Sequence, residues 1–110
     1  MKLPNPDRAV VELSKLRDYC LSAEHLRGKH KARVFASALG LTAADAPMLR
    51  AALLEAAVEG DARQAESDRF GQRFNLDFVL TLRGRPARIR SSWIVRRTED
   101  FPRLTSCYIL

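Results

Sequence analysis

Cysteine is scarce in this chain: two in 110 residues, at positions 20 and 107. That is too few for a disulfide framework or for paired zinc ligands. Their apolar settings (Tyr19-Cys20-Leu21 and Cys107-Tyr108-Ile109) predict buried free thiols. Histidine is equally scarce, and the spacing of His25 and His30 does not set both on one helical face to hold a metal. The carboxylates Asp61, Glu66, Asp68, Asp77, Glu99 and Asp100 are scattered, which argues against a two-metal nuclease. Neither a P-loop nor a Gly-x-Gly-x-x-Gly stretch is present, and no nucleophile elbow marks a serine hydrolase. No metal and no cofactor are expected. Long apolar runs are missing, and no helix pairs a basic face with an aromatic one, so a membrane is not an expected partner. The opening Met-Lys-Leu-Pro-Asn-Pro has no apolar stretch of the kind a secretory leader needs, and a cytoplasmic location is expected.

Lysine disappears after Lys31, and all ten basic residues of 61–110 are arginine. The net charge is +6 and the pI about 10. Arginine presents a planar fork of donors that matches phosphate oxygens, so this excess points towards nucleic acid or an acidic partner. The length and the 46% hydrophobic content suit one domain over residues 1–110.

Hydrophobic spacing predicts three helices. The first runs from about Glu12 to Leu21 with Leu13, Leu16 and Cys20 on one stripe. The second spans Lys29 to Leu39 with Ala32, Phe35, Ala36 and Leu39 inward, and Gly40 ends it. The third has Asp45 as N-cap, Pro47 in its first turn, Leu49, Ala52, Leu53 and Ala56 inward, and Gly60 as its stop. At Gly60 the period changes to alternation. Strands are expected at 62–68 (a weak edge), 70–82, 87–97 and 101–110, with a turn at Arg83-Gly84-Arg85-Pro86. Trp93 alternates with Ile89 and Val95 and reads as core. Leu104, Tyr108 and Leu110 share one face of the last strand, and Arg103, Thr105 and Cys107 the other. Helices followed by strands predict an α+β domain, with three N-terminal helices packed on one face of a four-stranded antiparallel sheet. The other face then carries a field of arginines.

Both histidines fall in His25-Leu26-Arg27-Gly28-Lys29-His30-Lys31-Ala32-Arg33, where a loop turns into the second helix. Cations are disfavoured at a helix N-terminus, and an anion held by backbone N–H groups and lysines is the natural compensation. RNA cleavage requires no metal, because the ribose 2′-OH is an internal nucleophile. The protein must move two protons and stabilise charge on the phosphate. His25 suits proton transfer; Lys31 with Arg90 or Arg103 suits the phosphate; Thr105 or Ser106 suits a hydrogen bond to it. The second acid or base is left open among Lys31, His30 and Tyr108. Arg27, Lys29, Arg73 and Arg88 complete the expected phosphate- and RNA-binding set. The competing reading is a non-catalytic module that binds RNA or protein, either a pseudo-nuclease or a toxin–immunity partner.

Lys2-Leu3-Pro4-Asn5, Lys15-Leu16-x-x-Tyr19-x-Leu21, His25-x-x-Gly28-x-x-Lys31-Ala32-x-x-Phe35 and Leu39-Gly40-Leu41 resemble an uncharacterised bacterial family of about this length. The likeness continues through Phe70-Gly71, Gly84, Trp93-Ile94-Val95, Pro102-Arg103-Leu104-Thr105 and Tyr108. It departs after Thr105, where Cys107-Tyr108-Ile109-Leu110 stands in place of Ala-Tyr-Pro. The family is similar to the barnase–EndoU–colicin–RelE (BECR) group of metal-independent ribonucleases. That resemblance implies helices before a four-stranded antiparallel sheet and an endoribonuclease-like toxin domain acting on RNA. It also implies an acidic immunity or antitoxin protein as partner, and a site at His25, Lys31 and Thr105.

Overall fold

A computed structural model describes residues 1–110. Three helical segments precede a four-stranded antiparallel sheet of order β1-β2-β3-β4, and the helices pack on one of its faces. The first, α1, is an α-helical turn, Leu13–Lys15, that continues as a π-helical turn, Leu16–Cys20. The wider turn is closed by the Leu21 N–H donating to the Leu16 carbonyl at 2.8 Å. Leu16 and Cys20 are fully buried as the stripe requires, but Leu13 is exposed, because only the π-helical part lies under the sheet.

Helix α2 spans Lys29–Leu39 and buries Ala32, Phe35 and Leu39, while Ala36 is exposed. Gly40 takes a φ of 69° after it, and its N–H and that of Leu41 cap the carbonyls of Ala36 and Phe35. Helix α3 spans Ala46–Glu59, with Pro47 at its start. Asp45 is its N-cap by position but bonds backwards: its carboxylate accepts the Thr42 N–H at 2.9 Å, in a capping box of the 3-10 turn Ala43–Asp45. At the far end Lys2 Nζ donates to the carbonyls of Val58 and Glu59, which satisfies two groups the helix leaves open. No helix is long and apolar enough to cross a membrane.

The strands are β1, Ala62–Gln64; β2, Gly71–Leu82; β3, Arg85–Arg96; and β4, Arg103–Ile109. The expected strand at 62–68 is therefore shorter, since Glu66 and Ser67 offer nothing to bury. β2 and β3 pair without interruption from Gly71↔Arg96 to Leu82↔Arg85. They are joined at Arg83-Gly84, both with positive φ, as a right-twisted two-residue hairpin demands. Leu76, Ile89 and Trp93 are fully buried against Phe35, Leu49 and Leu53. The Trp93 indole donates to Ser91 Oγ at 2.8 Å, and Ser91 donates on to the Leu76 carbonyl at 2.6 Å, so neither buried polar group is orphaned.

β4 departs from simple alternation. Its register with β3 runs Ser92↔Ser106 and then Trp93↔Leu104, leaving Thr105 as the extra residue of a bulge. Leu104 and Cys107 both face the core, and the half-buried Ile109 packs against it. Tyr108 lies opposite Arg90 on the polar face. The expectation that Tyr108 shares a face with Leu104 is thus corrected: one inserted residue reverses the phase of everything after it.

Candidate functional site

The turn into α2 is built by His25 and Gly28. His25 Nδ1 accepts the backbone N–H groups of Arg27 and Gly28, each at 3.0 Å, and the His25 carbonyl accepts the Lys29 N–H at 2.8 Å. Accepting two donors at Nδ1 leaves the ring proton on Nε2. The N–H groups of Arg27, Gly28 and Lys29 are therefore spent on the histidine, and those of His30 and Lys31 are the ones left at this helix end. Gly28 is buried against α1, where a Cβ would meet the Tyr19 carbonyl oxygen at 2.1 Å. The two residues fix the angle at which α2 leaves the turn, and with it the aim of Lys31.

Lys31 reaches the edge of β4. Its Nζ donates to Ser106 Oγ at 2.9 Å and lies 5.3 Å from the Tyr19 ring centroid and 5.4 Å from that of Tyr108. The His25 ring stands edge-on to Tyr19, 4.7 Å between centroids, so His25 and Lys31 share one aromatic partner. Lys31 is half-buried, and no carboxylate lies within 4.0 Å of it. Its compensation is a hydroxyl, two ring faces and the Cys20 sulfur behind it, a weaker set than a carboxylate gives a desolvated ammonium.

Behind Lys31 lie the two cysteines, both fully buried and both free. The Cys107 thiol and backbone N–H face the Cys20 sulfur; together with the Lys31 charge they hold the Cys20 thiol below its ordinary range, against the effect of burial. The same contact with Cys20, together with burial, pushes the Cys107 thiol up.

Thr105 adjoins this cluster without joining it: its Oγ1 donates to the Ser92 carbonyl at 3.1 Å, and Ser106 is the hydroxyl that meets Lys31. The arginines of the sheet face already hold carboxylates. Arg90 binds Asp77 through two bonds of 2.9 and 3.0 Å, with Arg63 at 3.1 Å and Arg88 at 3.9 Å from the same carboxylate. Arg90 and its neighbours keep the Asp77 carboxyl below the usual carboxylate range, and Asp77 and the Tyr108 phenol in turn raise Arg90. Arg103 binds Glu99 at 2.8 Å through both of its bonds, and Arg73 binds Asp68 at 2.8 Å. Arg27 is exposed in the turn, and Lys29 lies on the opposite side of α2, in a hollow between Arg17 and Thr42.

The structure therefore brings His25 and Lys31 together, commits the Thr105 hydroxyl to the Ser92 carbonyl one residue away from the Ser106 that meets Lys31, and leaves Arg27, Lys29, Arg73 and Arg103 elsewhere. The cluster gains one residue given no place in the expected site, Tyr19, and takes in Ser106 and Tyr108, which the sequence offered as alternatives for the hydrogen bond and for the second acid or base. The bulge is what turns Tyr108 from the expected core face to the polar one. Tyr19 stood in the sequence beside an apolar stripe, and its only signal was its place in the motif.

No curated protein matches the chain. A family profile described as a domain of unknown function (DUF6883) matches residues 2–110, and the protein belongs to that family.

Proposed function

We propose that this domain is a metal-independent endoribonuclease of the BECR type, acting on RNA phosphodiesters. The observation that carries the reading is Lys31: a half-buried cation with no carboxylate partner, held by Ser106 and two tyrosine rings at the edge of a polar sheet face. An incoming phosphate supplies the missing counter-charge. In the reaction the 2′-oxygen attacks phosphorus, the P–O5′ bond breaks, and the products are a 2′,3′-cyclic phosphate and a free 5′-hydroxyl. Lys31 stabilises the charge that grows on the phosphate oxygens, the kind of term that supplies most of the acceleration in such sites. Ser106 and Tyr108 offer hydroxyls to the same phosphate, and Thr105 reaches it only by giving up its bond to the Ser92 carbonyl. His25 presents Nε2–H to it, and moves a proton only when its cap on Arg27 and Gly28 is released. An acidic immunity or antitoxin protein would silence the domain by covering the same positive surface.

The test is cleavage of a fluorogenic single-stranded RNA in EDTA, with an all-deoxy oligonucleotide as control. Cleavage of RNA alone, leaving cyclic phosphate ends, is expected. Lys31→Met should lower it by at least about 100-fold with no loss of thermal stability, because methionine removes a poorly compensated charge. Cleavage of the deoxy control, or full activity in Lys31→Met, would overturn the proposal. RNA binding without cleavage would favour the non-catalytic module, the reading that the capped state of His25 Nδ1 supports.

A further inference from the structure

Beyond the Lys31 cluster, the same sheet face carries a second arrangement of recognisable chemistry. Phe70, in the turn before β2, is 57% exposed, and its ring packs on the Arg69 guanidinium, 4.9 Å from the centroid. Around it Arg69, Arg73, Arg96 and Arg97 line an open groove with Thr98 and Thr105. Arg73 is paired with Asp68, but Arg69, Arg96 and Arg97 have no carboxylate within 4.0 Å.

The exposure of Phe70 is fixed by its backbone. Its N–H donates to Asp68 Oδ1 at 2.9 Å, and its carbonyl accepts the Arg97 N–H at 3.3 Å. The next residue must be glycine, because a Cβ on Gly71 would meet the Val95 carbonyl oxygen at 2.1 Å. The ring is therefore held out into solvent on a braced loop, and the buried Ile94 is the one other apolar side chain that lines the groove. A large aromatic surface ringed by unpaired guanidinium groups suits a ligand with flat faces and negative charge between them. Single-stranded nucleic acid has both: unstacked bases lie on aromatic rings, and arginines track the phosphates. The groove also leads somewhere, since Thr105 lines it and the next residue, Ser106, binds Lys31.

We infer that this groove is the docking track for the RNA strand beside the scissile phosphate, with Phe70 stacking one base and Arg69, Arg96 and Arg97 holding the adjoining backbone. The inference rests on the ribonuclease reading of the Lys31 cluster and adds to it a preference for unpaired substrate.

The experiment is fluorescence anisotropy of the full chain with a labelled single-stranded RNA, the same RNA annealed to its complement, and a poly-glutamate peptide of equal length. Cleavage is followed in parallel. Phe70→Leu keeps an apolar side chain but loses the stacking plane, and should weaken single-strand binding about ten-fold while leaving duplex binding unchanged. Arg96→Gln with Arg97→Gln should lower the slope of log affinity against log salt by about 0.7 for each phosphate that is no longer neutralised. All three side chains are exposed, so unchanged melting curves show that the fold is intact. If both variants bind single-stranded RNA like the parent, the groove assignment is wrong, whatever Lys31→Met does. Equal affinity for poly-glutamate, insensitive to Phe70→Leu, would also overturn it and would mark the groove as a site for an acidic protein. Weakened RNA binding in a protein that cleaves nothing would uphold the groove and remove the ribonuclease reading instead.

Discussion

Replacing Gly28 with alanine tests the link between the turn and the site. The φ of Gly28 is −91°, so the backbone itself accepts an alanine. The obstacle is the Tyr19 carbonyl, whose oxygen would lie 2.1 Å and whose carbon 3.0 Å from the new methyl. Carbon–oxygen contacts settle at about 3.3 Å or more, so α2 must move off α1 by roughly an ångström. Forcing an extra carbon into a packed site costs about 1–3 kcal/mol, and here the opposing atom is backbone, which puts the cost at the upper end. Alanine returns about 0.4–1 kcal/mol by restricting the unfolded chain. The net loss is about 2 kcal/mol, or a fall in Tm of about 8 °C at about 4 °C per kcal/mol for a domain of this size. Thermal unfolding followed by circular dichroism measures it. Gly84→Ala is the contrasting variant, because no atom lies within 4 Å of its Cβ and only the φ of 78° resists the change. A Gly28→Ala protein as stable as the parent, or more so, would show that the contact between α1 and α2 is soft and that Gly28 does not set the aim of Lys31.

His25→Asn should retain the fold and part of the activity, whereas His25→Ala should lose both in part, because an asparagine oxygen accepts the Arg27 and Gly28 N–H groups and a methyl does not; activity lost equally in both would assign the histidine a chemical role instead of a cap, and full activity in both would assign it neither. Ser91→Ala should cost about 1–3 kcal/mol by leaving the Trp93 indole N–H buried without a partner, and combining it with Trp93→Phe should cost less than the two losses added; strict additivity in urea unfolding would refute the coupling. Stability should fall on acidification below about pH 4. Asp77, Asp68, Asp61 and Glu99 are all held below their ordinary values by arginines, backbone N–H groups or the N-terminal ammonium, so their stabilisation is present above the unfolded pKa and is lost as pH drops through the folded one. Melting temperatures at about pH 3 to 7 report this, and Asp77→Asn should flatten the acid limb; an unchanged limb would place the dependence on the other three.

The fold was legible because two periods dominate the sequence. The helical stripes through Phe35, Leu39, Leu49 and Leu53 and the alternation of Phe74, Leu76, Ile89 and Trp93 each bury what they advertise. The candidate site was legible only in its local part. His25, Gly28 and Lys31 stand close in sequence, and the spacing of a turn and a helix start carries them. Ser106 and Tyr108 reach Lys31 from the last strand, and their facing depends on a bulge that alternation does not announce. The arginines misled for a related reason. Their number suggested free charge, yet Asp77, Glu99 and Asp68 each neutralise one across or along a strand, pairings that depend on register.

Thr105 is the one residue of β4 that could be removed without re-aiming the strand. Its deletion would bring Leu104 directly before Ser106 and make the ladder with β3 regular, while Ser106, Cys107 and Tyr108 kept their partners Ser92, Ser91 and Arg90 and therefore their faces. What would be lost is the local twist of the bulge and the bond from Thr105 to the Ser92 carbonyl. A deletion one step later, at Ser106, would instead remove the hydroxyl that holds Lys31. Among relatives, position 105 is thus free to drift or to vanish, whereas the spacing from Ser106 to Tyr108 is what the Lys31 contacts require.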